Sequence, residues 1–317
     1  MKVTLVTTWE PQRCGMAYYS RFLSDALKKL VDVEICVVEP SFTHEQWVKA
    51  AESCAGNVVH LEHEWGIFHS FADAFLGVLR RNGKRSVITV HGGGCSHFFG
   101  LADQVCLTSR WQNPYGLPVL PHGVTVYPRY RQMEARNELG IERGKVVLQW
   151  GFVLPHKQYE VTLNAVRDRE DACFLIAGSE ERNVAYWNSL QPLLKNTKCQ
   201  VVKTGFLDEL DVSTVFSAAD LCVLPYKESV DSGCLRYALG SGVLTLASPI
   251  PFFGEVQLEY GVPLLSGNMA TDINALLDSP NVEGYAERCK RFAEANSWEN
   301  VAKKHVQVYE KVLEKKQ

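Results

Sequence analysis

Several short stretches of this 317-residue sequence put residues able to handle charge directly after apolar runs. In QWGFVLPHKQYE, Gly151 closes a β-branched run and Lys157 follows at the start of the next helix. A lysine ammonium is a point charge that reaches phosphoryl oxygens, with a solvated surface lysine as the plainer alternative. LPYKESVDSGCLRYALGSG, Leu224 to Gly242, passes from a buried strand through a polar loop into a helix. Asp231 or Ser232 can cap that helix, and its first free amides are expected at Ser232, Gly233 and Cys234. Such a helix end carries a partial positive charge of about half a unit, suited to a diphosphate.

Histidines supply a second group. TVHGGGC places His91 at a strand's carboxyl end, followed by Gly92 and Gly93, where backbone can approach a ligand closely. The plainer reading is a histidine hydrogen-bonded inside a glycine turn. HLEHEWGIFHS gathers His60, Glu62, His63, Glu64 and His69. Zinc is set aside here, because strand alternation sends His60 and His63 to opposite faces and the helical H-E-x-x-H spacing is missing. His63 and Glu64 are instead read as polar groups where the strand opens into a cleft. In TTWEPQRCGMAYYS, Gly15 precedes the first helix, where it either opens backbone amides to an anion or permits a tight turn. The dinucleotide fingerprint G-x-G-x-x-G is absent, which argues against an NAD-dependent dehydrogenase.

To position such residues, short β-branched runs alternate with amphipathic stretches, the pattern of βαβ units and parallel sheets. Strands are expected over 2–8, 33–39, 57–63, 86–92, 104–109 and 118–124, then over 145–152, 172–178, 199–206, 220–226 and 243–248. MAYYSRFLSDALKKL, SFADAFLGVLRRNG and ELDVSTVFSAA carry apolar residues at helical spacing. The text from Thr125 to Arg143 turns polar and irregular before the pattern restarts, marking a boundary. The last helix, NSWENVAKKHVQVYEKVL, keeps Trp298, Val301, His305, Val308 and Val312 near one face. The fold class expected is α/β, with two Rossmann-like doubly wound domains facing a cleft. The N-terminal domain covers 1–125, the C-terminal domain 126–296, and a terminal helix over 297–317 packs back on the first domain. Ligands of open α/β sheets bind at the carboxyl ends of strands, so function should sit in the loops there.

Composition narrows the classes. Hydrophobic residues make up 46% and charged residues 22% of the chain, ordinary values for a folded protein. A formal charge of −3 gives no field for a nucleic-acid backbone. The lysine-rich KVLEKKQ is read as a solvated last turn, peripheral contact with an anionic membrane being the alternative. Ten scattered cysteines without a C-x-x-C pair suit buried thiols in a reducing compartment. With no signal-like or membrane-length apolar run, a cytoplasmic protein is expected, at most peripheral at the inner membrane face.

VVHLEHEWGIF, TVHG, VLPHGV, WGFVLPHK, AADLCVLPYKESVDSGCLRYALGSGVLTLAS and SWENVAKKHVQVYEKV, in this order over nearly the whole chain, together resemble a known group. It is the retaining, nucleotide-sugar-dependent glycosyltransferases of GT-B architecture, in particular family 4 and its mannosyltransferase-like members. The resemblance implies a UDP- or GDP-linked sugar donor held mainly by the second domain. Its diphosphate would lie between Lys157 and the amides of Ser232 and Gly233, with Gly151 and Cys234 alongside. It also implies a sugar, lipid-linked sugar or other hydroxyl acceptor on the first domain, near His63, Glu64, Gly92, Gly93 and His122. Gly15 and His91 would lie near the reacting sugar, and His91, Lys157 and Glu228 would be the catalytic set. Family members use no metal ion, so neither metal nor cofactor is expected beyond the donor itself.

Two positions depart from the family pattern. Where members carry the ribose-binding glutamate this chain has Tyr237, and the glycine-arginine pair before the phosphate lysine is Gly151-Phe152. These keep open a weakened GT-B protein that binds a nucleotide sugar, or acts as a scaffold, without turnover. A sugar-nucleotide 2-epimerase is the other alternative; it would need carboxylates from among Glu62, Glu64, Glu228 and Glu255 as acid and base.

Overall fold

The computed structural model describes residues 1–68, 72–92, 97–111, 113, 116–142, 144–197 and 199–315. It divides into two compact units, Met1–Gly123 with Asn296–Gln317, and Val124–Ala295. The elements of the first unit begin with β1 (Lys2–Thr7), α1 (Gly15–Leu27), β2 (Asp32–Val37) and α2 (His44–Ser53). They continue with β3 (Val58–His63), α3 (Ala72–Arg81), β4 (Arg85–Val90) and β5 (Gln104–Leu107). The second unit holds α4 (Gln132–Glu138), β6 (Lys145–Trp150), α5 (Tyr159–Val166), β7 (Ala172–Gly178), α6 (Val184–Lys195) and β8 (Gln200–Thr204). There follow α7 (Glu209–Ala218), β9 (Leu221–Leu224), α8 (Gly233–Gly240), β10 (Leu244–Ala247), α9 (Pro251–Tyr260), α10 (Met269–Asp278) and α11 (Tyr285–Ala295). The final helix, α12 (Trp298–Glu314), belongs to the first unit.

Both sheets are wholly parallel, in the orders β2-β1-β3-β4-β5 and β10-β9-β6-β7-β8. Counted within its own unit, each matches one of the two common doubly wound orders, with winding reversed between β1 and β3 and between β6 and β9. Parallel strands buried on both faces explain the unbroken apolar runs, such as ACFLIAG in β7, where every residue is buried.

In the first unit one sheet face packs on α2 and α3 through Trp47, Phe75 and Leu76, and the other on α1 and α12 through Leu23, Val301, Tyr309 and Val312. Ser297 caps α12 by accepting from the Asn300 amide. Trp298 lies beside Tyr19 and Phe22, and a Cβ on Gly123 would fall 2.3 Å from its ring, so glycine admits the indole.

Two expectations need correction. The run 118–124 is not a sixth strand: it meets β5 through a single bridge, Leu107 to Val119. Pro118 and Pro121 lack the amides that a longer ladder requires. The polar stretch 125–143 is not wholly irregular, since it contains α4; Ala135 is its only buried residue, too little apolar periodicity to announce a helix.

Candidate functional site

In the second unit the loops after β6 and β9 leave the sheet where its winding reverses. Gly151 has φ +103°, and a Cβ there would lie 2.4 Å from Lys157 Nζ and 2.7 Å from Cys234 Sγ. The backbone conformation favours glycine, and a Cβ would force the ends of the Lys157 and Cys234 side chains to shift. A short 3-10 turn, Pro155–Lys157, brings the lysine back beneath the strand end, its carbonyl accepting from Gln149 Nε2 at 2.6 Å. Lys157 is only 7% exposed; its ammonium donates to Cys234 Sγ at 3.4 Å and sits 5.4 Å from the Tyr226 ring centroid. Among the described residues no carboxylate pairs with it. A buried cation that no carboxylate among the described residues pairs with calls for an anion.

The start of α8 supplies more positive potential. Ser232 is its N-cap, accepting from the Leu235 amide at 3.2 Å. The Ser232 amide was expected to be free, but it donates to Asp231 Oδ1 at 2.7 Å. An Asp side chain readily takes a neighbouring backbone donor in this way. Gly233 and Cys234 therefore carry the open amides. Among the described residues nothing lies within 4 Å of a Cβ built on Gly233, so the helix mouth leaves room for a ligand. Asp231 in turn receives Arg236 Nε at 3.0 Å and Nη2 at 2.9 Å, a buried bidentate pair that sequence reasoning missed. Glu228 lies exposed in the same loop. Tyr237 stacks on Tyr127 at 5.6 Å and meets Trp150 edge-on at 5.4 Å, so this position contributes an aromatic wall where a glutamate would offer hydrogen bonds.

In the first unit the ends of β3 and β4 build a chain of polar groups. His91 Nε2 lies 2.7 Å from Glu62 Oε2 and His91 Nδ1 lies 2.8 Å from His122 Nε2, with the Tyr19 ring beside both histidines. Glu62 is fully buried. Burial alone would raise its carboxyl, but His60 and the His91 hydrogen bond outweigh that and hold it at about 2. His63 faces the opposite side of β3, enclosed by Trp65 and Phe68, and burial pushes it down to about 4. That is a packing environment rather than an open cleft edge. The Glu64 carboxylate accepts from the Gly66 amide at 2.7 Å and closes a turn. A Cβ on Gly92 would come 3.0 Å from Trp65 Cδ1; Gly93 and His69 fall outside the described residues. Gly15 is exposed at the start of α1, with no positive φ and nothing within 4 Å of an added Cβ, so no tight turn requires it there.

Of the residues weighed as metal ligands, His60 instead joins Glu62 and His305 of α12, with one ligand atom from each within 4.8 Å of the others. Both His60 ring nitrogens are already engaged, Nδ1 by the Tyr309 hydroxyl at 2.7 Å and Nε2 by Thr89 Oγ1 at 2.8 Å. A metal would have to displace one of them. The signal in the sequence was a histidine inside the apolar stripe of a closing helix.

The class of fold these units define is GT-B, the doubly wound pair of α/β domains. Solved structures match over the whole length. A sucrose-phosphate synthase from Thermosynechococcus elongatus superposes with TM-score 0.76 at 17% identity, covering 99% of each chain. Anabaena HepE in complex with UDP-glucose gives 0.77 at 14%, again covering 99% of each. AviGT4, a glycosyltransferase involved in avilamycin A biosynthesis, gives 0.74 at 16%, covering 99% of this chain and 98% of its own. No protein-family model matches the chain, and none of the curated proteins does.

Proposed function

We propose that this chain is a glycosyltransferase of family 4 type that moves a sugar from a nucleoside diphosphate, UDP- or GDP-linked, to a hydroxyl acceptor. The observation that carries this reading is the buried Lys157 ammonium, without a carboxylate partner among the described residues, beside the open amides of Gly233 and Cys234. It lies where ligands of doubly wound sheets bind. The UDP-glucose held by HepE supports the same class of donor.

In the reaction the bond between the anomeric carbon and the diphosphate oxygen breaks, and negative charge develops on that oxygen. Lys157 and the α8 amides meet the charge as it forms, which lowers the barrier rather than merely tightening binding. The acceptor hydroxyl bonds to the anomeric carbon on the same face, so configuration is retained, and its proton passes to the departing phosphate. This needs neither metal nor a carboxylate nucleophile, which agrees with the exposed placement of Glu228; that residue is left to touch donor-sugar hydroxyls. His91 serves near the reacting sugar, and the acceptor is a sugar or lipid-linked sugar met at the cytoplasmic side of the membrane. With Tyr237 in an aromatic stack, the ribose is met by a ring face rather than a carboxylate.

Incubation with UDP-, GDP- and ADP-sugars tests this by sugar release or transfer. At least one donor should turn over, and Lys157→Ala should slow it by about 100-fold or more. Thermal stabilisation by nucleotide without turnover of any donor would replace the transferase with a binding protein.

A further inference from the structure

The first unit buries a carboxylate that leaves part of its hydrogen-bonding capacity unused. Glu62 lies on the β3 face that packs against α12, with 0% exposure. Its Oε2 is bonded to His91, while among the described residues Oε1 has no hydrogen-bond partner and lies 3.6 Å from His60 Nδ1. A network present only for stability would satisfy both oxygens, and an apolar side chain of similar volume would serve the core as well or better. Glu62 holds one edge of the His91 imidazole.

That edge fixes the polarity of the chain. An ionised carboxylate only accepts, so the 2.7 Å contact requires the proton on His91 Nε2. With the one ring proton on Nε2, Nδ1 carries a lone pair and accepts from His122 Nε2 at 2.8 Å. We propose that Glu62 is a positioning residue that holds His91 in the Nε2–H form, so that Nδ1 is the acceptor for a substrate hydroxyl taking the place of His122. The inference rests on the reading of His91 as a group beside the reacting sugar. It adds what that reading lacks, the direction of the hydrogen bond: His91 selects an O–H donor, not a phosphate or carbonyl oxygen.

The test uses the full chain labelled with ¹⁵N-histidine. Ring nitrogen spectra of the wild type at pH 7.5, assigned by loss of signals in His91→Gln, should show the His91 proton on Nε2; a proton on Nδ1 overturns the proposal. In Glu62→Gln, whose amide can also donate to Nε2, the proton should move wholly or partly to Nδ1; an unchanged tautomer in a folded variant overturns it as well. With a donor such as UDP-glucose or GDP-mannose that the wild type turns over, Glu62→Gln should lower kcat by about 100-fold with KM within about twofold. Glu62→Asp should recover part of the loss, and adding His91→Gln to Glu62→Gln should cost little more than His91→Gln alone. Fully additive losses would show that the two residues act separately and would contradict the proposal. If no donor is turned over, the transferase reading fails, and the tautomer spectra still decide the role of Glu62.

Discussion

Lys157, Gly151 and Cys234 form a unit in which each residue constrains the others. The ammonium occupies the space a Cβ on Gly151 would take, and the Cys234 thiol also crowds that position. Gly151→Ala should therefore do two things. Holding alanine at φ +103° costs about 1–3 kcal/mol, read in a urea titration. Displacing the ammonium should abolish thermal stabilisation by nucleotide in the fraction that folds. An alanine variant that binds nucleotide like the wild type would show that the lysine does not need this position. Gly151, Lys157 and Ser232 were legible in the sequence, because small and charged residues after apolar runs mark strand ends in doubly wound folds. The engaged Ser232 amide was not, since it depends on the rotamer Asp231 adopts under the pull of Arg236.

The helix α8 owes its placement to that same pair. Arg236 and Asp231 are buried, and the guanidinium lies 5.8 Å from the Phe292 ring centroid of α11, which ties the helix mouth to its neighbour. Removing one charge strands the other. Asp231→Asn should cost about 3–5 kcal/mol in denaturant unfolding, and Ser232→Ala only about 1 kcal/mol through the lost cap. Equal effects would mean that the cap, not the ion pair, holds the element. Most strands could be placed from the sequence because parallel strands buried on both faces read as plain β-branched runs. The run 118–124 looked the same but is interrupted by two prolines, and α4 was hidden because a helix that buries one alanine has no stripe to read.

The molecule as a whole carries histidines that folding keeps neutral. Burial pushes His60 and His63 down to about 4 and lowers His305, all in the first unit. In the unfolded chain each titrates near about 6.5, so below that pH the unfolded state binds more protons than the folded one. Stability from these groups is complete above about pH 6.5 and is lost as the pH falls towards 4. Glu62, with its carboxyl held at about 2, keeps its contribution throughout that window and loses it only in stronger acid. Melting temperature should drop by roughly 5 °C or more between pH 7 and 5, and His63→Phe, which keeps the ring packing, should flatten the slope. A melting temperature constant over that range would contradict neutral burial. On the proposed reading, the second unit holds a nucleoside diphosphate on Lys157 and the open amides of α8. Isothermal titration of the whole chain with UDP, GDP and ADP tests it most directly. At least one should bind saturably, with binding lost in Lys157→Ala while the variant stays folded; no binding by any of the three, or equal binding by the variant, would contradict the claim.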